Sequence, residues 1–282
     1  MPNLWLVVLT VLTMIAFAGN SLLCRVALKH TSIDAASFTA IRLISGAIVL
    51  WIMARLFRAS HAGKGNWLSG LSLFAYAACF SFAYVSLPAG TGALLLFGAV
   101  QATMIGHGIW AGEHLRGLQV IGVALALAGL VGLLLPGLSA PPLVGATLML
   151  AAGVAWGIYS LRGRGLGDPT KVTTGNFLFS VPFAVALSIV SIDDAKLDSL
   201  GVGYAVASGA VASGIGYAIW YSVLPSLKAA SAATIQLSVP VIAAFGGIVF
   251  LGESMTVRLA LASIAILGGI ALVILEKQRL TT

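Results

Sequence analysis

The sequence predicts an all-α membrane protein, with ten transmembrane helices arranged as two inverted five-helix repeats in one transmembrane domain. Three observations carry this expectation. Of the 282 residues, 60% are hydrophobic and 8% charged, whereas soluble domains carry about 25% charged residues. Apolar runs long enough to cross a bilayer follow one another with only short connections. One stretch is used twice: Ala89 to Leu134 and Ala229 to Ile274 each read as a small-residue opening, an apolar helix, a Gly-Glu break and a second apolar helix. A shift of 140 superposes Ala93 on Ala233, Gly106 on Gly246, Gly112-Glu113 on Gly252-Glu253, and Gly129 on Gly269.

Taken in order, the spans are 4–28, 35–57, 67–87, 91–111, 117–135, 143–161, 172–191, 202–222, 230–251 and 257–275. The first is too long for the apolar core of a cleavable signal. Pro88-Ala-Gly-Thr-Gly92 ends the third span in a turn. Pro136, Pro141 and Pro142 separate the fifth from the sixth, and Pro225 closes the eighth. Pro182 and Pro240 fall inside spans, where each removes a backbone donor and bends its helix. Cys24 and Cys79 lie within apolar runs and read as free thiols. Trp5, Trp51, Trp67, Trp110 and Trp220 lie near span ends, as interfacial anchors do. Small residues on spans 5 and 10 (Gly122, Ala126 and Gly129; Ala262, Ala265, Gly268 and Gly269) permit close packing, either between the halves or between two copies of the chain.

Orientation follows from the basic residues. The face holding the N-terminus carries ten (Arg55, Arg58, Lys64, Arg116, Arg162, Arg164, Lys171, Lys228, Lys277, Arg279) and the other face three (Lys29, Lys196, Arg258). Cytoplasmic loops hold the Lys/Arg excess, so both termini are expected in the cytoplasm, and the net charge of +7 reads as membrane orientation rather than as nucleic-acid binding. The repeats are assigned to 1–138 and 139–282. Five is odd, so the second repeat enters the membrane from the opposite face. Inverted repeats of this kind are a ground plan of secondary transporters, with the site between the halves near the midplane.

The joint placement of several short motifs carries a resemblance. Phe17-Ala-Gly-Asn-Ser21 in span 1 answers Trp156-Gly-Ile-Tyr-Ser160 in span 6 with a shift of 139, Arg42 lies early in span 2, and a Gly-Glu pair closes spans 4 and 9. Over its whole length the chain resembles the drug/metabolite transporter superfamily, EamA-type branch. The resemblance implies the ten-helix fold and transport of a small organic solute, but not which solute. Two departures make the halves unequal: Val100, beside Gln101, stands where the family has a proline matching Pro240, and Arg42 has no arginine counterpart in span 7.

The candidate substrate-binding residues are the polar and aromatic side chains near mid-depth: Asn20, Tyr76, Phe80, Gln101, Trp156, Tyr159, Tyr217 and Gln236. An amide facing lipid is costly, so Asn20, Gln101 and Gln236 face other helices or a cavity. Single residues of this kind equally serve interhelical hydrogen bonding; their recurrence on several helices points to a cavity. Arg42 either snorkels outward or fastens helix ends, or it attracts an anionic group. Arg25, nearer the span end, is expected to snorkel. His107, near the end of span 4, is either a titratable pore group or an interfacial histidine. Glu113 and Glu253 are either proton-coupling carboxylates or helix-end residues, each following a C′ glycine and sitting by the positive end of the next helix. No Asp or Glu lies deep in a span, which argues against carboxylate-based proton exchange and, with no convergent acids, histidines or cysteines, against a membrane enzyme.

The expected activity is alternating-access movement of a small metabolite, amino-acid export being favoured, across a bacterial inner membrane. A drug, nucleobase or sugar-derivative carrier is the alternative within transport; a membrane enzyme or a scaffold is the alternative outside it. The expected partners are a small-molecule substrate and membrane lipid, with no nucleic acid, metal or cofactor, and the chain is expected as a monomer or a homodimer.

Overall fold

The computed structural model describes residues 4–56, 64–112, 114–115, 117–137, 140–163, 168–227 and 229–279, all helix or connection with no strand among them. Among the described residues there are ten helices: α1 (Leu4–His30), α2 (Ala35–Leu56), α3 (Trp67–Tyr84), α4 (Ala89–Trp110), α5 (Leu118–Leu134), α6 (Leu143–Arg162), α7 (Pro169–Val190), α8 (Ser199–Ser226), α9 (Ala229–Gln236 and Ser238–Leu251) and α10 (Val257–Arg279). Among the described residues nine of them are long and apolar enough to cross a membrane, and α5 is a shorter apolar helix. Large apolar side chains such as Ile15, Ile48, Leu127, Val131, Phe250 and Ile264 remain exposed on the outside of the bundle, the surface a lipid phase covers.

The helix starts are set by local capping. Asp34 accepts from the Ala36 and Ser37 N–H groups at the start of α2, Asn66 from Ser69 on α3, and Asp198 from Gly201 on α8. Asp168 accepts from Thr170 and Lys171 with Pro169 at the first turn of α7; each cap satisfies donors the helix cannot. Two caps also join distant parts of the chain. Asp34 accepts from the Lys196 N–H at 2.9 Å, and Asp198 from the Ser32 N–H at 3.1 Å, so the α1–α2 and α7–α8 connections clasp each other at what we call the distal end, opposite the N-terminus. Burial works to raise the Asp34 carboxyl, but hydrogen bonds from Ser37, Lys196 and Ala36 outweigh it and hold it below its ordinary value. Asp198 is likewise depressed, first by the Gly201 N–H. At the proximal end Asn176 accepts from the Asn66 N–H, and Arg162 donates to Asn66 and Ser69.

The small-residue stripes of spans 5 and 10 meet each other. A Cβ on Gly122 would fall 2.5 Å from the Gly269 carbonyl oxygen, and one on Gly129 would fall 2.7 Å from the Ala265 Cβ. The stripe therefore joins α5 to α10 within the chain. Cys24 is fully buried and Cys79 half-buried, both free. Trp5, Trp51, Trp67 and Trp110 are exposed, but Trp220 is a core residue, edge-on to Phe17 at 6.0 Å. The reason is that α8 runs on through a 3-10 turn at Leu224–Ser226, which carries Trp220 inward of its end.

Two backbone irregularities shape the interior. Residues Ala207–Ile215 of α8 form a π-helical segment, a feature frequent at functional sites. Helix α9 is interrupted at Leu237, four residues after Ala233 and three before Pro240. Proline cannot donate to the carbonyl four residues earlier, here Gln236, so the expected bend becomes a break.

Candidate functional site

Asn20 on α1 donates to the Tyr76 hydroxyl on α3 at 3.2 Å and accepts from Ser208 on the π segment of α8 at 2.6 Å. Arg42 on α2 donates from Nη2 to the same Tyr76 hydroxyl at 3.0 Å. One phenol thus gathers an amide and a guanidinium from two other helices. The Arg42 guanidinium also lies 5.1 Å from the Tyr76 ring centre and 4.9 Å from that of Phe80, within cation–π range.

Rings extend the cluster across the bundle. Tyr76 meets Trp156 of α6 at 4.8 Å, Trp156 meets Tyr159 at 5.2 Å and Tyr217 of α8 at 5.3 Å, and Tyr76 meets Phe80 at 5.4 Å. The Tyr159 hydroxyl accepts from Asn176 on α7 at 3.5 Å. Because Asn176 also takes the Asn66 N–H, polar groups lead from the cluster toward the proximal end.

Seven of the residues singled out from the sequence are therefore in one contiguous cluster: Asn20, Arg42, Tyr76, Phe80, Trp156, Tyr159 and Tyr217. Gln101 is buried and Gln236 half-buried, and neither hydrogen-bonds to the cluster. His107 is exposed near the end of α4, edge-on to Trp110 at 6.1 Å. Sequence reasoning missed as partners Ser208, Asn176 and Phe17, whose ring meets Tyr217 edge-on at 5.7 Å. The only signal for Ser208 is the run of small residues from Ser208 to Gly216, which reads equally well as an ordinary packing stripe.

Arg42 decides the chemistry of the cluster. It is 2% exposed, so it does not snorkel. Its second terminal nitrogen, Nη1, is buried with no hydrogen-bond partner. Gly209 of the π segment sits against the carbonyl of Arg42, where an added Cβ would lie 2.1 Å from that oxygen. Only a residue without a side chain lets α8 approach α2 this closely. The result is a buried cation that faces rings and hydroxyls and forms no ion pair with any described residue.

Arg25 behaves differently from expectation. It is buried, and its Nε lies 3.0 Å from Glu253 in an ion pair. Its Nη1 donates to the Tyr84 and Val85 carbonyls at the end of α3. The reach of the α9 terminus over α1 supplies the partner that a sequence scan of α1 alone lacks. Gly252 does adopt the left-handed conformation that closes α9, at φ 62°. Glu253, however, accepts from the Ala89 N–H at 2.7 Å, capping α4 rather than the helix that follows it. Glu113 lies outside the described residues.

The EamA-like transporter family model matches the chain twice, over residues 4–135 and 143–275. An uncharacterised protein of Pseudomonas aeruginosa is 56% identical over 275 residues, covering 97% of this chain and 96% of that one. The threonine/homoserine exporter RhtA of Salmonella typhimurium is 30% identical over 247 residues, covering 83% of this chain and 80% of the relative. A solved crystal structure, 20% identical, superposes with a TM-score of 0.66 over 99% of this chain and all of its own. With ten helices, a doubled family match and a clustered polar and aromatic interior, the chain is an integral membrane protein of the EamA-like transporter family, within the drug/metabolite transporter superfamily.

Proposed function

We propose that the protein exports a small amino acid across the inner membrane by alternating access of its two halves. The observation that carries this reading is the unpartnered, buried Nη1 of Arg42. A cation in a low-dielectric interior is costly unless paired, and the carboxylate of a solute would complete the missing pair through a short, charge-assisted hydrogen bond. Asn20, whose Oδ1 accepts from Ser208 and keeps a second lone pair, stands near the guanidinium to take the ammonium end, and the rings of Tyr76, Phe80, Trp156, Tyr159 and Tyr217 cover the solute's apolar part. On α9 the break at Leu237 leaves the Gln236 carbonyl without its helical donor. The basic asymmetry supports cytoplasmic termini, and the relatives named as threonine/homoserine exporters support the solute class. No described carboxylate lies at mid-depth near Arg42, which favours facilitated movement over proton exchange through an acid.

The test is solute flux in proteoliposomes with threonine, homoserine and threonine amide. Carboxylate-bearing solutes are expected to move at least ten-fold faster than the amide, and Arg42→Gln is expected to remove that preference. Equal transport of amide and acid, or an undiminished preference in the variant, would overturn the reading and favour a carrier of neutral drugs or nucleobases.

A further inference from the structure

Among the described residues, a single ion pair joins four helix ends. Arg25 belongs to α1, and Nη1 of its guanidinium holds the Tyr84 and Val85 carbonyls at the close of α3. Its partner Glu253 follows the close of α9 and takes the Ala89 N–H that opens α4. Lys29, one turn along α1, reaches the Leu251 carbonyl at 3.5 Å. All these groups lie at the distal end. Three of the four helices belong to the first five and one to the last five, so the pair ties the halves together there.

We infer that the Arg25–Glu253 pair is a latch that holds the distal end of the solute path closed and releases when that end opens. The inference rests on transport by this family and not on the choice of solute.

The physical basis is a difference between two environments. The two side chains are 10% and 9% exposed. A buried pair of this kind is strongly held, because losing one partner strands the other charge in a dry site. The same pair in contact with water is worth little, since solvent hydrates both ions as they part. Glu253 already borders a small crevice with Pro88, Gly90, Ala244 and Met255, so water has a short way to go. A contact that is strong when dry and weak when wet favours a fully closed or a fully open end over intermediates.

The position of the latch relative to the cluster fits this role. Asn20, in the cluster, and Arg25, in the latch, are five residues apart on α1, about 7.5 Å along the helix at 1.5 Å per residue. Between them lies Cys24, fully buried and within electrostatic reach of both Arg42 and Arg25. The sequence repeat also carries the same two residue types into equivalent places: a shift of 139 takes Arg25 to Arg164, and a shift of 140 takes Glu253 back to Glu113. Arg164 and Glu113 lie outside the described residues, and the latch does not depend on them.

Cys24 is a native reporter for the test. In a Cys79→Ala background, its reaction with a small membrane-impermeant methanethiosulfonate is measured from each face of oriented vesicles without any solute. Glu253→Gln keeps an acceptor for the Ala89 N–H and removes the charge, and is expected to raise labelling from the distal face at least ten-fold. Arg25→Lys keeps the charge but loses the forked bonds to the α3 carbonyls, and is expected to raise it by a smaller factor; this milder variant serves if the first does not fold. Unchanged labelling of Cys24 in either folded variant, or an increase from the proximal face instead, would overturn the latch. Because the readout needs no solute, it fails or succeeds separately from the amino-acid reading.

Discussion

The same substitution at two buried arginines should have unequal consequences for stability. Arg42→Met removes one hydrogen bond to Tyr76 at 3.0 Å and two guanidinium–ring contacts at 5.1 and 4.9 Å. A hydrogen bond to a charged group contributes about 1.5–3 kcal/mol and each cation–π contact about 0.5–2 kcal/mol. Against this stands the burial of an uncompensated ion, a penalty of several kcal/mol. These contributions nearly cancel, so the variant is expected within about 1 kcal/mol of the parent or above it. Arg25→Met leaves Glu253 buried without its cation and two carbonyls without their donor. Removing one partner of such a pair costs about 3–5 kcal/mol.

The assay is reversible denaturant unfolding in micelles, followed by fluorescence of the half-buried Trp156 and buried Trp220, alongside flux in proteoliposomes. A stable but inactive Arg42→Met protein, next to a markedly destabilised Arg25→Met protein, is the expected pattern. It would mark Arg42 as retained for a solute at some expense of stability. A loss of 3 kcal/mol or more at Arg42 would show that the guanidinium is a structural tie, and would remove the physical basis for a solute carboxylate there.

Two further tests address the scaffold. Gly269→Leu should lower the unfolding midpoint sharply, because a Cβ at Gly269 would sit 2.4 Å from the Gly122 carbonyl oxygen, whereas Gly268→Leu should be near neutral because nothing lies within 4 Å of a Cβ there; equal effects at the two positions in thermal melts would contradict the α5–α10 seam. Asp34 has a depressed carboxyl because its hydrogen bonds outweigh burial, so its stabilising effect is complete above the ordinary carboxylate value of about 4 and is lost as pH falls through the depressed value. Asp34→Asn should cost about 1 kcal/mol at neutral pH and flatten the acid limb of the stability profile, and an unaltered acid limb would refute the clasp.

How far the sequence could be read depended on whether a property belongs to one helix or to a pair of helices. Span limits follow from apolar length along one segment, and α2, α6 and α10 begin within one residue of their expected starts. The depth of Asn20, Tyr76 and Trp156 along their helices follows in the same way, and depth brought most of the candidate cluster together. Rotation about the helix axis is a different quantity. These helices are apolar all round, so no polar stripe marks which face turns inward. Gln101 and Gln236 lie near mid-depth in the sequence and His107 near the end of its span, yet the structure leaves all three out of the hydrogen-bonded and ring-stacked cluster. The π segment was invisible for a related reason: its small residues fit an ordinary packing stripe, and the additional residue in its turn leaves the apolar run unbroken.

The two arginines make the limit physical. Both are cations within an apolar run, and their different depths along α1 and α2 do not reveal that both are buried. What separates them is the partner: Arg25 finds a carboxylate 228 residues away, and Arg42 finds a phenol 34 residues away and leaves Nη1 unbonded. A charge in a span is therefore ambiguous until the opposing helices are known, because the same residue type serves as a tie when its counter-ion is built in and as a binding group when it is not. The fold resolves this by placing the end of α9 over Arg25 and only small residues and rings around Arg42. On the proposed reading the built-in pair holds the halves together and the unpaired cation takes a solute carboxylate, two roles that the stability and flux measurements above can separate.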